Sequence, residues 1–220
     1  MRVAFGYLLI AASAACGSDD GGSPANPDAP PASDAPNPTS LRLTWTSLPP
    51  IPGPIKNDID VATASFRLAQ LQIVGDGGSG GATTLEDIML EWSAEHPMPP
   101  MLTFAAAPLG LYSKISFDVV ADASHDAFEI TGAAKIGPVT EPFRIYDTEP
   151  LDIEISGYDV ELEPGRSVQL TVQLDLKAVL ESLDYEEFPV IGGVRTVGPA
   201  DAQINAVREA MTDAFENPQN

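Results

Sequence analysis

The chain is 220 residues long and carries 32 acidic against 11 basic side chains, a formal net charge of −21 at pH 7. A body this acidic repels phosphate backbones, which excludes nucleic acid as a partner. The single cysteine, Cys16, excludes an intramolecular disulfide and a thiolate metal cluster.

Residues 1–15 read as an export signal. Arg2 supplies the positive end and the rest is apolar or small, a run too short to cross ~30 Å of hydrocarbon as a helix. It ends in Ser13-Ala14-Ala15-Cys16, which resembles the lipobox of bacterial lipoproteins, where small residues precede a cysteine that is diacylated and becomes the new N-terminus. Ser13 stands where that family usually has leucine. The resemblance implies lipidation at Cys16, and acyl chains worth ~0.8 kcal/mol per buried CH₂ then hold the protein to the membrane. Ordinary cleavage at the small residues Ala12-Ser13-Ala14, leaving a free thiol, fits the same stretch. Gly17, rather than Asp, after the cysteine implies the outer membrane, on its periplasmic or cell-surface face. Asp19-Asp20 resembles the acidic runs that accompany surface export and equally fits two solvated linker charges.

Residues 16–40 form a tether. Pro24, Pro27, Pro30, Pro31, Pro36 and Pro38 alternate with small and polar residues, and nothing large and apolar is present to offset the cost of ordering them. The segment is predicted to be disordered and stiffened toward polyproline II, at ~3.1 Å per residue. Residues 41–220 then form one domain, and no later stretch is apolar enough to cross a membrane.

Within that domain the apolar pattern has the two-residue period of β-strands. Leu41, Leu43 and Trp45 define a first strand ending at Pro49-Pro50. Phe66 and Leu68 lie on one parity and Leu71 and Ile73 on the other, so a bulge is predicted at Ala69-Gln70. The glycine-rich run 75–81 matches G-x-G-x-x-G, with Glu95 about twenty residues on, but the segment after it is too short for a βαβ unit and the run reads as a loop. Residues 83–92 fit both a helix, with Thr83 and Glu86 as a capping box, and a strand through Ile88, Leu90 and Trp92. The surrounding short strands favour the strand.

Pro108 and Gly110 open a strand in which Ile115, Phe117 and Val119 alternate with Lys114, Ser116 and Asp118. Further strands come at Phe128 and Ile130, at Phe143 and Ile145, at Leu151, Ile153 and Ile155, and at Val168, Leu170, Val172 and Leu174, the last after a Glu163-Pro164-Gly165-Arg166 turn. Asp175 is placed to cap a short helix through Leu183, and residues 190–197 read as a last, glycine-interrupted strand. A C-terminal amphipathic helix is predicted from near Pro199, with Ile204, Val207, Met211 and Phe215 inward. The predicted fold class is mainly β, an antiparallel sandwich with one or two short helices, including that C-terminal one. Pro108-x-Gly110-x-Tyr112 ahead of an alternating strand, together with the Glu163-Pro164-Gly165 strand, resembles uncharacterised bacterial lipoprotein domains of the transthyretin-like (prealbumin-like) sandwich type over roughly 41–185. The resemblance implies a fold and no activity.

Chemical motifs are sparse. G-x-S-x-G, H-E-x-x-H and G-K-[ST] are absent. His96 and His125 are too few for an all-histidine zinc site and both sit in polar loops, so no cofactor is expected. Asp118, Asp122 and Asp126 flank one loop and are the candidates for calcium, with solvated loop charge as the plainer reading. Trp45, Trp92, Tyr112, Tyr146, Tyr158 and Tyr185 are candidates for stacking on a sugar, although Tyr112 is better suited to anchor its own turn and Trp45 alternates with core residues. The leading reading is a non-catalytic, lipid-anchored envelope domain with a structural or interaction role. A carbohydrate- or peptide-binding module comes second and a hydrolase third.

Overall fold

The computed structural model describes residues 39–56, 58–75, 81–83 and 87–219. The export signal, Cys16, the tether up to residue 38, the centre of the glycine-rich run and Glu86 of the capping box lie outside the described residues.

In chain order the elements are β1 (Ser40–Ser47), β2 (Gly53–Lys56), β3 (Ile59–Val74), β4 (Gly81–Thr83), β5 (Ile88–Trp92), β6 (Leu102–Phe104), β7 (Gly110–Val119), β8 (Phe128–Ile136), β9 (Val139–Asp147), β10 (Leu151–Leu162) and β11 (Ser167–Leu174). Helix α1 (Lys177–Glu181), a 3-10 turn (Tyr185–Glu187), β12 (Val190–Ile191), β13 (Val194–Val197), α2 (Ile204–Thr212) and β14 (Phe215–Glu216) complete the chain. The domain is thus mainly β with two short helices, one of them C-terminal. Its two sheets pack face to face as a sandwich.

The smaller sheet has the order β14-β11-β1-β6. Its central pairing, β1 with β11, is parallel and joins residues 127 apart, from Ser40↔Ser167 to Ser47↔Leu174. Parallel β1–β11 and β13–β9 are departures from an otherwise antiparallel arrangement. The larger sheet is built around β3, a 16-residue strand. Along one side of it, Phe66 through Ile59 pairs with β8 and Val74 through Leu68 with β7. The backbone of Arg67 joins the two: its carbonyl accepts from Val120 N–H at 2.9 Å and its own N–H donates to Ala127 O at 3.0 Å. Because both groups of one residue point to the same side of a strand, β7 and β8 run end to end along β3, and residues 121–126 are an excursion out of what is otherwise one line. β9 lies beside β8 and β10 beside β7, broken at the matching level by residues 148–150. β3 has its register shift between Ala69 and Gln72, with Gln70 at φ 54°. That is the predicted bulge. The larger sheet therefore has a seam crossing three strand lines, and the bulge keeps Phe66, Leu68, Leu71 and Ile73 all inward across it.

Burial follows the alternation. Leu41, Leu43 and Trp45 of β1, Ile115, Phe117 and Val119 of β7, and Leu170, Val172 and Leu174 of β11 are all buried. The layers meet edge to face, Trp45 against Phe117 with ring centroids 5.8 Å apart, and Phe215 against Phe66 at 5.1 Å and Phe117 at 5.3 Å. Ile88, Leu90 and Trp92 are buried in β5, so 88–92 is the strand.

Three local expectations are corrected. Phe215 does not belong to the C-terminal helix: α2 spans Ile204–Thr212, and Phe215 lies in β14, opposite Leu174. Helix α2 begins at Ile204, five residues after Pro199. The glycines of 190–197 do not interrupt one strand but turn the chain between two, Gly192 and Gly193 both adopting positive φ between β12 and β13. Asp175 accepts from Lys177 N–H at 2.7 Å but stands one residue before the N-cap, Leu176, and α1 ends at Glu181, short of the expected Leu183.

Candidate functional site

Among the described residues, most charge pairs gather at the seam. Arg67 is the only basic residue of β3, set between inward Phe66 and Leu68. Its side chain, 12% exposed, ties the excursion 121–126 to its surroundings: Nε donates to Asp122 Oδ2 at 3.0 Å within it, Nη1 to Val120 O at 3.3 Å just before it, and Nη2 to Asp87 ahead of β5. Asp122 Oδ1 in turn accepts from the backbone N–H groups of Ser124 at 2.6 Å and His125 at 2.8 Å. The Ser124 bond, the bonds to His125 and the charge of Arg67 together bring the Asp122 carboxyl down to about 2. The excursion is a closed turn knotted around one carboxylate.

One strand line further on, Arg144 of β9 donates through Nη2 to Asp126 at 2.9 Å and through Nε to Glu129 at 2.5 Å, with its guanidinium carbon 3.9 Å from the Tyr146 ring centroid. Desolvation raises the Asp126 carboxyl above its ordinary range against the pull of Arg144. At the end of β9, Asp147 is fully buried. Its carboxylate accepts from Arg208 of α2 through Nε and, at 2.9 Å, Nη2, and from the N–H groups of Thr148 at 2.8 Å and Glu149 at 3.2 Å. Its hydrogen bond with Asp147 holds Arg208 above the ordinary arginine value. Each break in the sheet thus has its own arginine–carboxylate clamp.

The three calcium candidates do not converge. Asp122 is committed to Arg67 and Asp126 to Arg144, while Asp118 stands one strand pairing away opposite Asp152. Burial, then the hydrogen bond and charge of Asp152, raise the Asp118 carboxyl. Among the described residues no group of three or more His, Cys, Asp and Glu side chains is placed to hold a metal. His125 Nδ1 lies 3.2 Å from Asp122 Oδ1 with the ring 55% exposed, a turn histidine steadied by a carboxylate that Arg67 already shares. His96 Nδ1 lies 3.5 Å from Glu91.

Nor do the aromatic candidates form a platform. Trp45, Trp92, Tyr112, Tyr158 and Tyr185 are buried, and Arg144 stacks over Tyr146. The tyrosine hydroxyls serve the fold. The Tyr112 hydroxyl donates to Pro108 O at 2.6 Å, Tyr158 to Thr171 O at 2.7 Å and Tyr185 to Leu180 O at 3.1 Å. Burial pushes the phenols of Tyr158 and Tyr185 well above the ordinary tyrosine value.

Two concavities bear on ligand binding. A cleft of about 710 Å³ opens between the sheets at the β6 edge, lined by Ala82, Ile88, Leu102, Phe104 and residues 105–108, with no charged side chain among the described residues that line it. A smaller hollow of about 190 Å³ at the seam is lined by Ser65, Met89, Ser124, His125, Asp126, Glu129 and Arg144. Sequence reasoning missed the clamps. The signal for them was a lone arginine inside an apolar alternation, at Arg67 and Arg144, in a chain with few bases.

Searches of protein-family models, curated proteins and solved structures find no match for this chain.

Proposed function

We propose that this protein is a non-catalytic, lipid-anchored domain of the bacterial cell envelope. It is held by acylated Cys16 on the outer membrane and carried beyond the surface by its proline-rich tether, and it acts through contacts with another envelope component. The sandwich is read as transthyretin-like on the strength of the Pro108-Gly110-Tyr112 turn. One observation carries the non-catalytic reading: the titratable groups drawn together at the seam are spent on one another. Arg67 pairs with Asp87 and Asp122, Arg144 with Asp126 and Glu129, and Arg208 with Asp147. General acid–base work needs a group whose proton is free to move at the operating pH, and a carboxylate locked in a guanidinium clamp is a poor one.

Of the alternatives, a peptide ligand is favoured over a glycan. The cleft at the short β6 edge is lined by apolar and small side chains, whereas the rings that would stack on sugars are packed inside.

The anchoring half of the proposal is tested by Cys16→Ser. The variant is expected to leave the membrane fraction and to lose incorporation of a labelled fatty acid, and retention in the membrane would refute it. The interaction half is tested by glycan-array binding, where selective capture of one saccharide class would replace it with the carbohydrate reading.

A further inference from the structure

Strand β6 ends the smaller sheet, and it is three residues long beside an eight-residue β1. It reads Leu102-Thr103-Phe104. Leu102 and Phe104 stand opposite Leu43 and Leu41 and share their inward face, while Thr103 stands opposite Arg42 on the outer one. Leu41 and Leu43 are fully buried, but Leu102 and Phe104 are only half-buried, and both line the cleft at this edge.

The ladder fixes which backbone groups the edge offers. Ser40 N–H donates to Arg166 O and Leu48 N–H to Leu174 O, so the even-numbered residues of β1 turn their N–H and C=O toward β11. The odd-numbered residues turn theirs toward β6, which makes Leu41↔Phe104 and Leu43↔Leu102 the hydrogen-bonded pairs. Thr103, between them, directs its N–H and C=O away from β1. Among the described residues no strand lies on that side of β6. The edge thus presents one backbone donor and one acceptor alongside an apolar cleft.

We propose that this edge binds an extended segment of another protein as an added strand, with the pattern apolar-x-apolar and basic residues on either side. The proposal rests on the reading of this protein as an interaction domain and names the kind of partner. A single ligand residue closes both bonds to Thr103 only in an antiparallel ladder, since parallel pairing divides them between two residues. That residue's own side chain lies on the outer face, beside Thr103. Its two neighbours point inward, opposite Leu102 and Phe104, into the cleft. The hydrogen bonds hold the backbone, and the cleft selects the alternate side chains. No charged side chain lines the cleft among the described residues, so a charge placed there would be desolvated without a partner, and the two inward positions require apolar groups. Outside the cleft, the net charge of −21 draws a basic segment and repels an acidic one. A second copy of this chain would bring the same −21 to the contact, which disfavours it as the occupant.

The probe is the labelled peptide Ser-Lys-Leu-Thr-Leu-Lys-Ser, capped at both ends and titrated with the full-length protein in detergent by fluorescence anisotropy. It is expected to bind and to slow hydrogen exchange at the Thr103 amide. The isomer Ser-Lys-Leu-Leu-Thr-Lys-Ser keeps composition and charge but sets its leucines on opposite faces, and should bind about tenfold more weakly. Glutamates in place of both lysines should also weaken binding about tenfold. Methylating the amide nitrogen of the central threonine removes the donor to Thr103 O and should abolish binding with the protein untouched. Thr103→Pro removes the other bond. Proline is tolerated where an edge N–H faces solvent, so its thermal unfolding should be unchanged. Equal binding of the two isomers would reduce the effect to charge and overturn the proposal, as would no binding at all. Sedimentation of a dimer that Thr103→Pro dissociates would also overturn it, with the second copy as occupant. These outcomes bear on the β6 edge alone, and the interaction reading stands or falls separately on the glycan array.

Discussion

Arg208 of α2 reaches the fully buried carboxylate of Asp147 at the end of β9, with Nη2 2.9 Å from Oδ1 and Nε on Oδ2. A helix is thereby fastened to the point where the sheet breaks between β9 and β10. Removing the guanidinium leaves an uncompensated charge inside the protein, which costs far more than the pair itself contributes. Arg208→Met is expected to destabilise the domain by about 3 to 5 kcal/mol in urea unfolding. Adding Asp147→Asn to it should recover part of that loss, because an amide needs no counter-charge. Two losses that simply add would mean that the pair is not coupled.

The Tyr112 hydroxyl donates to Pro108 O at 2.6 Å, from a ring that is 1% exposed. The bond spans the turn that opens β7, and without it the carbonyl loses its partner. Tyr112→Phe should cost about 1 kcal/mol with no change in the urea m-value, since ring packing is preserved. An unchanged midpoint would show that the turn holds itself.

Two loop carboxylates make opposite pH predictions. Asp122 is held at about 2 by the Ser124 and His125 bonds and the charge of Arg67, below its unfolded value near ~3.9. Its contribution is therefore complete above about pH 4 and lost as pH falls from about 4 toward 2. Asp122→Asn should flatten the stability profile in that window. Asp118 is raised by burial and by Asp152, so the folded state holds its proton more tightly than the unfolded chain. Its contribution is present below the unfolded value and lost as pH rises through the folded one. Asp118→Asn should therefore raise the melting temperature at pH 7 and make no difference near pH 3. Thermal unfolding of both variants across pH 2–7 checks the two signs together.

Gly132 of β8 pairs with Val61, beside the register shift between β3 and β8. A Cβ there would lie 2.1 Å from Asp60 O and 2.8 Å from the Phe143 ring. Backbone cannot yield without breaking the ladder, so Gly132→Ala should cost about 3 kcal/mol or prevent folding. Gly137→Ala, at φ +57° but with nothing within 4 Å, should cost only about 1 kcal/mol of backbone strain. Comparing the two melting temperatures separates crowding from conformation.

Properties carried by neighbours along the chain were legible in the sequence. Alternation at Leu41, Leu43 and Trp45, at Ile115, Phe117 and Val119, and at Leu170, Val172 and Leu174 specified strands and their inward faces, because a strand's side chains have a period of two. The change of parity between Leu68 and Leu71 located the bulge for the same reason. Turn residues placed Tyr112 against its own turn and Gly165 at the start of β11. Tertiary structure alone decided the pairings between distant segments. Parallel β1–β11 joins residues 127 apart, and no local pattern records which strand will lie alongside another. Phe215 fits a helical period with Met211, yet the inter-sheet space between Phe66 and Phe117 draws it out of the helix into β14. Which acid each of Arg67, Arg144 and Arg208 clamps lies beyond sequence reasoning because, in a chain with 32 acids, every arginine has many candidate partners. The fold chooses among them by setting β7 and β8 end to end along β3, which brings Asp122 to Arg67, Asp126 to Arg144 and, through α2, Arg208 to Asp147.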